Sequence, residues 1–94
     1  MKARTITEAK RFEDIPNVGP RVASDFKKLG FKCPKDLRGK DPLFLYKKLC
    51  KITKSRQDPC VLDVFIAVCD FADKSLTRPW WFYTKERKSK YPEI

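Results

Sequence analysis

The sequence predicts an all-α fold, four to five short helices packed into one compact domain, and three observations carry that prediction. Apolar residues recur at three- and four-residue steps along most of the chain, as one face of a helix requires. No stretch alternates apolar and polar residues as a half-buried strand would. Prolines and glycines fall between the periodic stretches, twice as Asp-Pro (Asp41–Pro42 and Asp58–Pro59), which pairs a helix cap with a first helical position that needs no N–H.

Each element follows from local chemistry. Thr5 and Glu8 have the spacing of a capping box, so a helix is expected from about residue 6, with Ala9, Phe12 and Ile15 inward and Pro16 ending it. A second helix starts at Pro20, with Val22, Ala23, Phe26 and Leu29 on one face and Arg21, Ser24, Lys27 and Lys28 on the other, and stops at Gly30. Phe31 to Lys40 is a connection with one helical turn at Pro34–Leu37. Asp41 caps a third helix running to about Lys51, with Leu45, Leu49 and Ile52 as its buried stripe. After the polar loop Thr53–Gln57, the segment Pro59–Lys74 is apolar on nearly every side. Asp63, Ala67, Asp70 and Lys74 mark its narrow wet strip, so it is expected as the central core helix. The tail breaks helix at Pro79 and mixes aromatics with cations. The organisation expected is a single domain over 1–94: a hairpin motif at about 6–30, a degenerate helix-loop-helix half at about 41–73, and an aromatic, basic tail at 76–94.

Composition narrows the function. At 94 residues, 41% hydrophobic and 13% aromatic, the chain sits in the globular class, with one core and no room for a deep cleft. The basic N-terminus has no apolar run behind it, and the longest apolar stretch, Cys60 to Ala72, is short and carries Asp63 and Asp70. Neither a signal peptide nor a membrane span is expected, and a cytoplasmic protein with reduced cysteines is. The net charge of +10 is uneven: residues 1–40 hold 11 Lys/Arg against 5 acids, residues 41–73 hold 5 against 5, and residues 74–94 hold 6 against 2. Cations concentrated at both ends of the chain point to a polyanion, nucleic acid above all. The four cysteines are separated by 17, 10 and 9 positions, with no C-x2-C pair, which argues for core thiols over a metal site, with Cys33 the one nearest the surface. There is no histidine and no nucleophile beside a base, so no catalytic residue, cofactor or enzymatic activity is expected.

The informative stretch is "IPNVGP", Ile15 to Pro20. A hydrophobic residue, two positions that tolerate a left-handed turn, and a following helix with Ala23, Phe26, Leu29 and Gly30 in step describe a helix-hairpin-helix. Asn17 and Gly19 let the backbone turn, and Val18 between them plugs into the core. The next helix then presents its unpaired N–H groups and positive dipole end to solvent, where a phosphate can dock. Pro20 offers no N–H, which leaves Gly19, Arg21 and Val22 as backbone donors, with the Arg21 side chain beside them and Lys27 and Lys28 along the same helix. Such a site grips phosphates and reads no base edges, so duplex DNA is favoured and binding is sequence-independent.

Taken together, "IPNVGPRVASDFKKLGF", "DLRGKDPLFLYKKLC", "DPCVLDVFIAVCDFA" and "RPWW" resemble the pathogenicity-locus family of small helix-hairpin-helix proteins. The first half is also similar to the C-terminal domain of TfoX-type competence regulators. The resemblance implies a helical domain and a DNA-binding role. The tail stays open to three uses. Trp80, Trp81, Phe82 and Tyr83 can strap the core, form a patch for a homodimer or protein partner, or stack on unpaired bases, with Arg78, Lys85, Arg87 and Lys88 flanking them. A protein-interaction module without nucleic-acid binding is the alternative function.

Overall fold

A computed structural model describes residues 2–94, and among them every regular element is helical. The helices are α1 (Pro20–Lys28), α2 (Pro42–Thr53), α3 (Pro59–Lys74) and α4 (Thr84–Lys90), and single 3-10 turns lie at Phe12–Asp14, Pro34–Leu37 and Trp80–Tyr83. The Cα radius of gyration of 12.3 Å is what a fully packed chain of this length has, about 12 Å, so the tail is folded in rather than trailing.

The three longer helices start as their residues dictate. Pro occupies the first helical position of α1, α2 and α3. Asp41 and Asp58 each accept the N–H two residues on, from Leu43 and Cys60, closing one orphan donor at the start of α2 and α3. α3 is the central element. Leu62, Phe65, Val68 and Phe71 are sealed from solvent, and α2, the Pro34–Leu37 turn and the Trp80–Tyr83 turn all lie against it. Phe26 of α1 stacks on Phe65 at 5.4 Å between ring centres and meets Phe12 at 5.5 Å, which joins the hairpin region to the same core.

Three expectations are corrected. The first concerns residues 6–15, which form no α-helix: they run through turns to the single 3-10 turn at Phe12–Asp14. Ile6, Ala9, Phe12 and Ile15 are nevertheless all buried. Their spacing is three throughout, with no four-residue step, and on an α-helix such a row drifts about 60° at each step and leaves the core face. Side chains also compete for the backbone: Asp14 Oδ2 accepts the N–H groups of both Lys10 and Arg11, and Glu8 Oε2 accepts that of Arg4 in place of a capping box. Among the described residues four α-helices are present, the fourth being α4 in the tail, so of the expected helix-hairpin-helix only the turn and the helix after it are formed, and the hairpin of this chain is that turn with α1.

The second correction is Asp63, expected on a wet strip and found with 0% of its surface exposed. Arg87 of α4 donates through Nε to Oδ1 at 2.9 Å and through Nη2 to Oδ2 at 3.3 Å, and Thr84 Oγ1 donates to the same Oδ2 at 2.8 Å. The strip of α3 that a helical wheel leaves for water is covered by the tail. The third is Ile52, which is exposed, while Tyr46 takes the buried place and donates its hydroxyl to the Gln57 carbonyl.

Candidate nucleic-acid interface

The turn at Ile15–Pro20 forms as its residues require. Ile15, Pro16 and Val18 are buried, the Val18 N–H bonds back to the Ile15 carbonyl, and Asn17 sits at φ 72°, the left-handed region that Asn tolerates better than most residues. Gly19 is the N-cap of α1 and has no side chain to satisfy the first turn. Helix geometry leaves the N–H groups of Gly19, Arg21 and Val22 without intrahelical acceptors, and Gly19, Pro20 and Arg21 are exposed there, with Val22 half-buried. The structure thus brings Asn17, Val18, Gly19, Pro20, Arg21 and Val22 together at one corner.

Two side chains make that corner more than a connector. The Asn17 amide donates to the Arg78 carbonyl at 2.7 Å, and its Oδ1 accepts the Trp80 N–H at 3.1 Å. The residue that turns the hairpin is therefore also the clasp that holds the tail against it. Lys2, which sequence spacing does not connect to the turn, donates its ammonium to the carbonyls of Val18 and Glu13 at 2.8 and 2.6 Å, so a cation from the start of the chain stands at the turn.

The electrostatics are mixed close in and basic further out. The Asp58 carboxyl is held below the usual carboxylate range by the Cys60 N–H, with the Arg21 charge near enough to add to the effect. Asp25, buried on α1, is pushed up by loss of water, and the Lys28 and Arg21 charges oppose that shift. Seven residues separate Arg21 from Lys28, two helical turns, so those two cations share one face of α1. Lys27 points elsewhere, into a shallow cavity of about 260 Å³ that it lines with Lys10, Arg11, Glu13 and Lys32. The residues expected at one site thus divide between two neighbouring basic surfaces. Trp80 is half-buried against the core, Tyr83 is buried, and Trp81 is exposed. Cys33 is exposed as expected. Among the described residues no group of His, Cys, Asp or Glu could hold a metal ion, and no helix is long and apolar enough to cross a membrane.

A hairpin clasped by the tail, and a core helix sealed by it, tie residues at both ends of the chain into one arrangement. A relative that shares the arrangement must therefore match almost end to end. The Cdd1 family, described as Pathogenicity locus, matches residues 5–89. This chain belongs to that family. The Pathogenicity locus match takes in the hairpin, α1 to α3 and the tail through Arg87, so both tail contacts lie within it. Among curated proteins this Pathogenicity locus chain is similar to the Mitomycin resistance protein McrB of Streptomyces lavendulae, 37% identical over 84 residues that make up 89% of this chain and 80% of the relative. No solved structure matches the chain.

Proposed function

We propose that the protein binds nucleic acid, duplex DNA in preference, by its backbone phosphates, in a non-catalytic role. The observation that carries this reading is the left-handed Asn17, which turns the chain so that α1 begins at the surface with its N–H groups open, with the Lys2 ammonium on the turn and Arg21 exposed in the first helical turn. A helix start with fixed donors and a positive dipole end suits a phosphate oxygen. Lys28 on the Arg21 face lies where a neighbouring phosphate of the same strand would run. Backbone N–H groups and phosphate-directed cations carry no base information, so sequence independence follows from this mode of binding. The likeness of the first half to TfoX-type competence regulators belongs with this reading, since it rests on the same hairpin.

The test is fluorescence anisotropy with labelled duplex across a salt series. The wild type should bind in the range of roughly 10⁻⁴ to 10⁻⁶ M, with a log–log salt slope of about −3 to −5, as three to five phosphate contacts imply. Arg21→Glu should weaken binding at least tenfold with an unchanged circular dichroism spectrum, and Lys27→Glu/Lys28→Glu should do the same to a smaller degree. Absence of wild-type binding at low salt would sink the proposal. The similarity to a mitomycin resistance protein makes mitomycin tolerance the cellular readout: expression of the wild type should raise it, and expression of Arg21→Glu should not.

A further inference from the structure

The tail inverts the usual order of a surface helix. Its inner face is built from polar groups: Tyr83 donates to Asp70 at 2.8 Å, Thr84 to Asp63, and Arg87 to Asp63. Its outer face carries the aromatics, with Trp81 64% and Phe82 55% exposed. Neither of those rings is needed to seal the core, which Tyr83 and the half-buried Trp80 do. An exposed tryptophan and phenylalanine side by side on a small domain mark a contact surface.

The surroundings say what kind. Lys85 and Lys88, both exposed, lie three apart on α4 and form a short basic stripe that follows the exposed Trp81 in the chain. The Arg78 guanidinium lies 4.7 Å from the Phe82 ring centre, and the Trp80 and Trp81 rings meet edge to face at 5.7 Å. Glu86 is the acid in this segment. Rings held at fixed angles among cations suit a partner with π faces and negative charge, which describes a nucleotide whose base is unpaired. The patch is continuous with the hairpin corner, because the Asn17 clasp holds Trp80 at the turn. Backbone lengths then keep the Trp81 Cα within about 20 Å of the Gly19 N–H, a few nucleotides along one strand.

We propose that Trp81, with Phe82 and the Lys85–Lys88 stripe, stacks on an unpaired base of the strand whose phosphate is held at the α1 start, so that the protein prefers a duplex bearing a single-stranded end over a blunt one. This rests on the phosphate reading above. Trp81 supplies the π surface, and the cations follow the strand beyond it. In a folded protein with Trp81 at the surface, replacing it leaves the core contacts of Tyr83 and Arg87 untouched.

Three labelled probes separate the two ideas: a blunt duplex, the same duplex with a short thymine overhang, and one whose overhang is abasic and equally charged. The wild type should bind the thymine overhang about 5- to 150-fold more tightly than the abasic one, the range a single base stacked on an aromatic ring gives. Trp81→Ala should erase that difference without changing affinity for the blunt duplex, and Trp81→Phe should keep most of it. Arg21→Glu should weaken all three probes. Equal wild-type affinity for the two overhangs, or a preference that survives Trp81→Ala, overturns the stacking site and leaves the hairpin reading standing. Sensitivity to Trp81→Ala without sensitivity to Arg21→Glu supports stacking and removes the phosphate grip. No binding of any probe at low salt overturns both and assigns the patch to a protein partner.

Discussion

Asn17 does two jobs that no other residue type does together. It takes a left-handed backbone at φ 72°, and its amide offers a donor and an acceptor at the right distance for the Arg78 carbonyl and the Trp80 N–H. Asn17→Gly keeps the turn and loses both bonds, so we expect a loss of about 1–2 kcal/mol. Asn17→Ala also pays the left-handed strain, a further 1 kcal/mol or so. Urea denaturation of the two variants checks both the size and the order. Tyr83 gives a second prediction at this scale. Burial first, and then the bond to Asp70, push its phenol up to about 12, above its ordinary value near 10. The fold therefore favours the neutral form, and that stabilisation is whole below pH 10 and is lost as pH rises through about 12. Cys69, pushed up by burial from its ordinary value of 9 to about 12, adds a loss that begins about one pH unit lower. Tyr83→Phe should be less stable at neutral pH by about 1–2 kcal/mol and should lose less between pH 10 and 12. Denaturant midpoints across that range would refute it if the two proteins fell in parallel. The turn geometry at Asn17 was legible in the sequence; its side-chain partners were not, because they lie some sixty residues away and only the packed tail brings them there.

At the scale of elements, α2 and α3 were readable because their Asp-Pro starts and their three- and four-residue steps agree with each other. Residues 6–15 were readable only in part. The inward positions Ala9, Phe12 and Ile15 are buried as expected, and Ile6 joins them, yet their strict period of three favours turns over α-helix. α3 was assigned a wet strip because a wheel of one helix does not include what another element lays on it. That strip holds the buried Asp63–Arg87 pair, and its energetics are asymmetric. Arg87→Ala leaves a sealed carboxylate without its partner and should cost about 3–5 kcal/mol. Replacing both, Asp63→Leu with Arg87→Met, should recover most of that loss, since two apolar side chains need no partners. Thermal melts of the two variants decide it: a double variant no more stable than Arg87→Ala would mean that α4 is held by something other than this pair.

Over the whole molecule, the clustering of cations at both ends of the chain was legible. Lys2 from one end brings its ammonium to the hairpin corner, while Arg78 from the other is held there by its backbone carbonyl and turns its guanidinium onto the Phe82 ring. Asp63, expected on a wet strip, is sealed inside, and the tail that covers it carries Lys85, Lys88 and Lys90 exposed. The salt dependence proposed above therefore belongs to a broad basic surface, and association should be fastest at low ionic strength. Burying Asp63 has a further consequence, one of timing. Its partner lies 24 residues later in the chain, and at about 5–20 residues per second a ribosome needs roughly 1–5 s to add them. A chain that ends before Arg87 has its central helix but no cation to neutralise the carboxylate within it, so the core cannot close in its final form. The protein is committed to finishing its fold only after the tail has been made, and a nascent chain halted before Arg87 should be open to proteases that leave the finished protein intact.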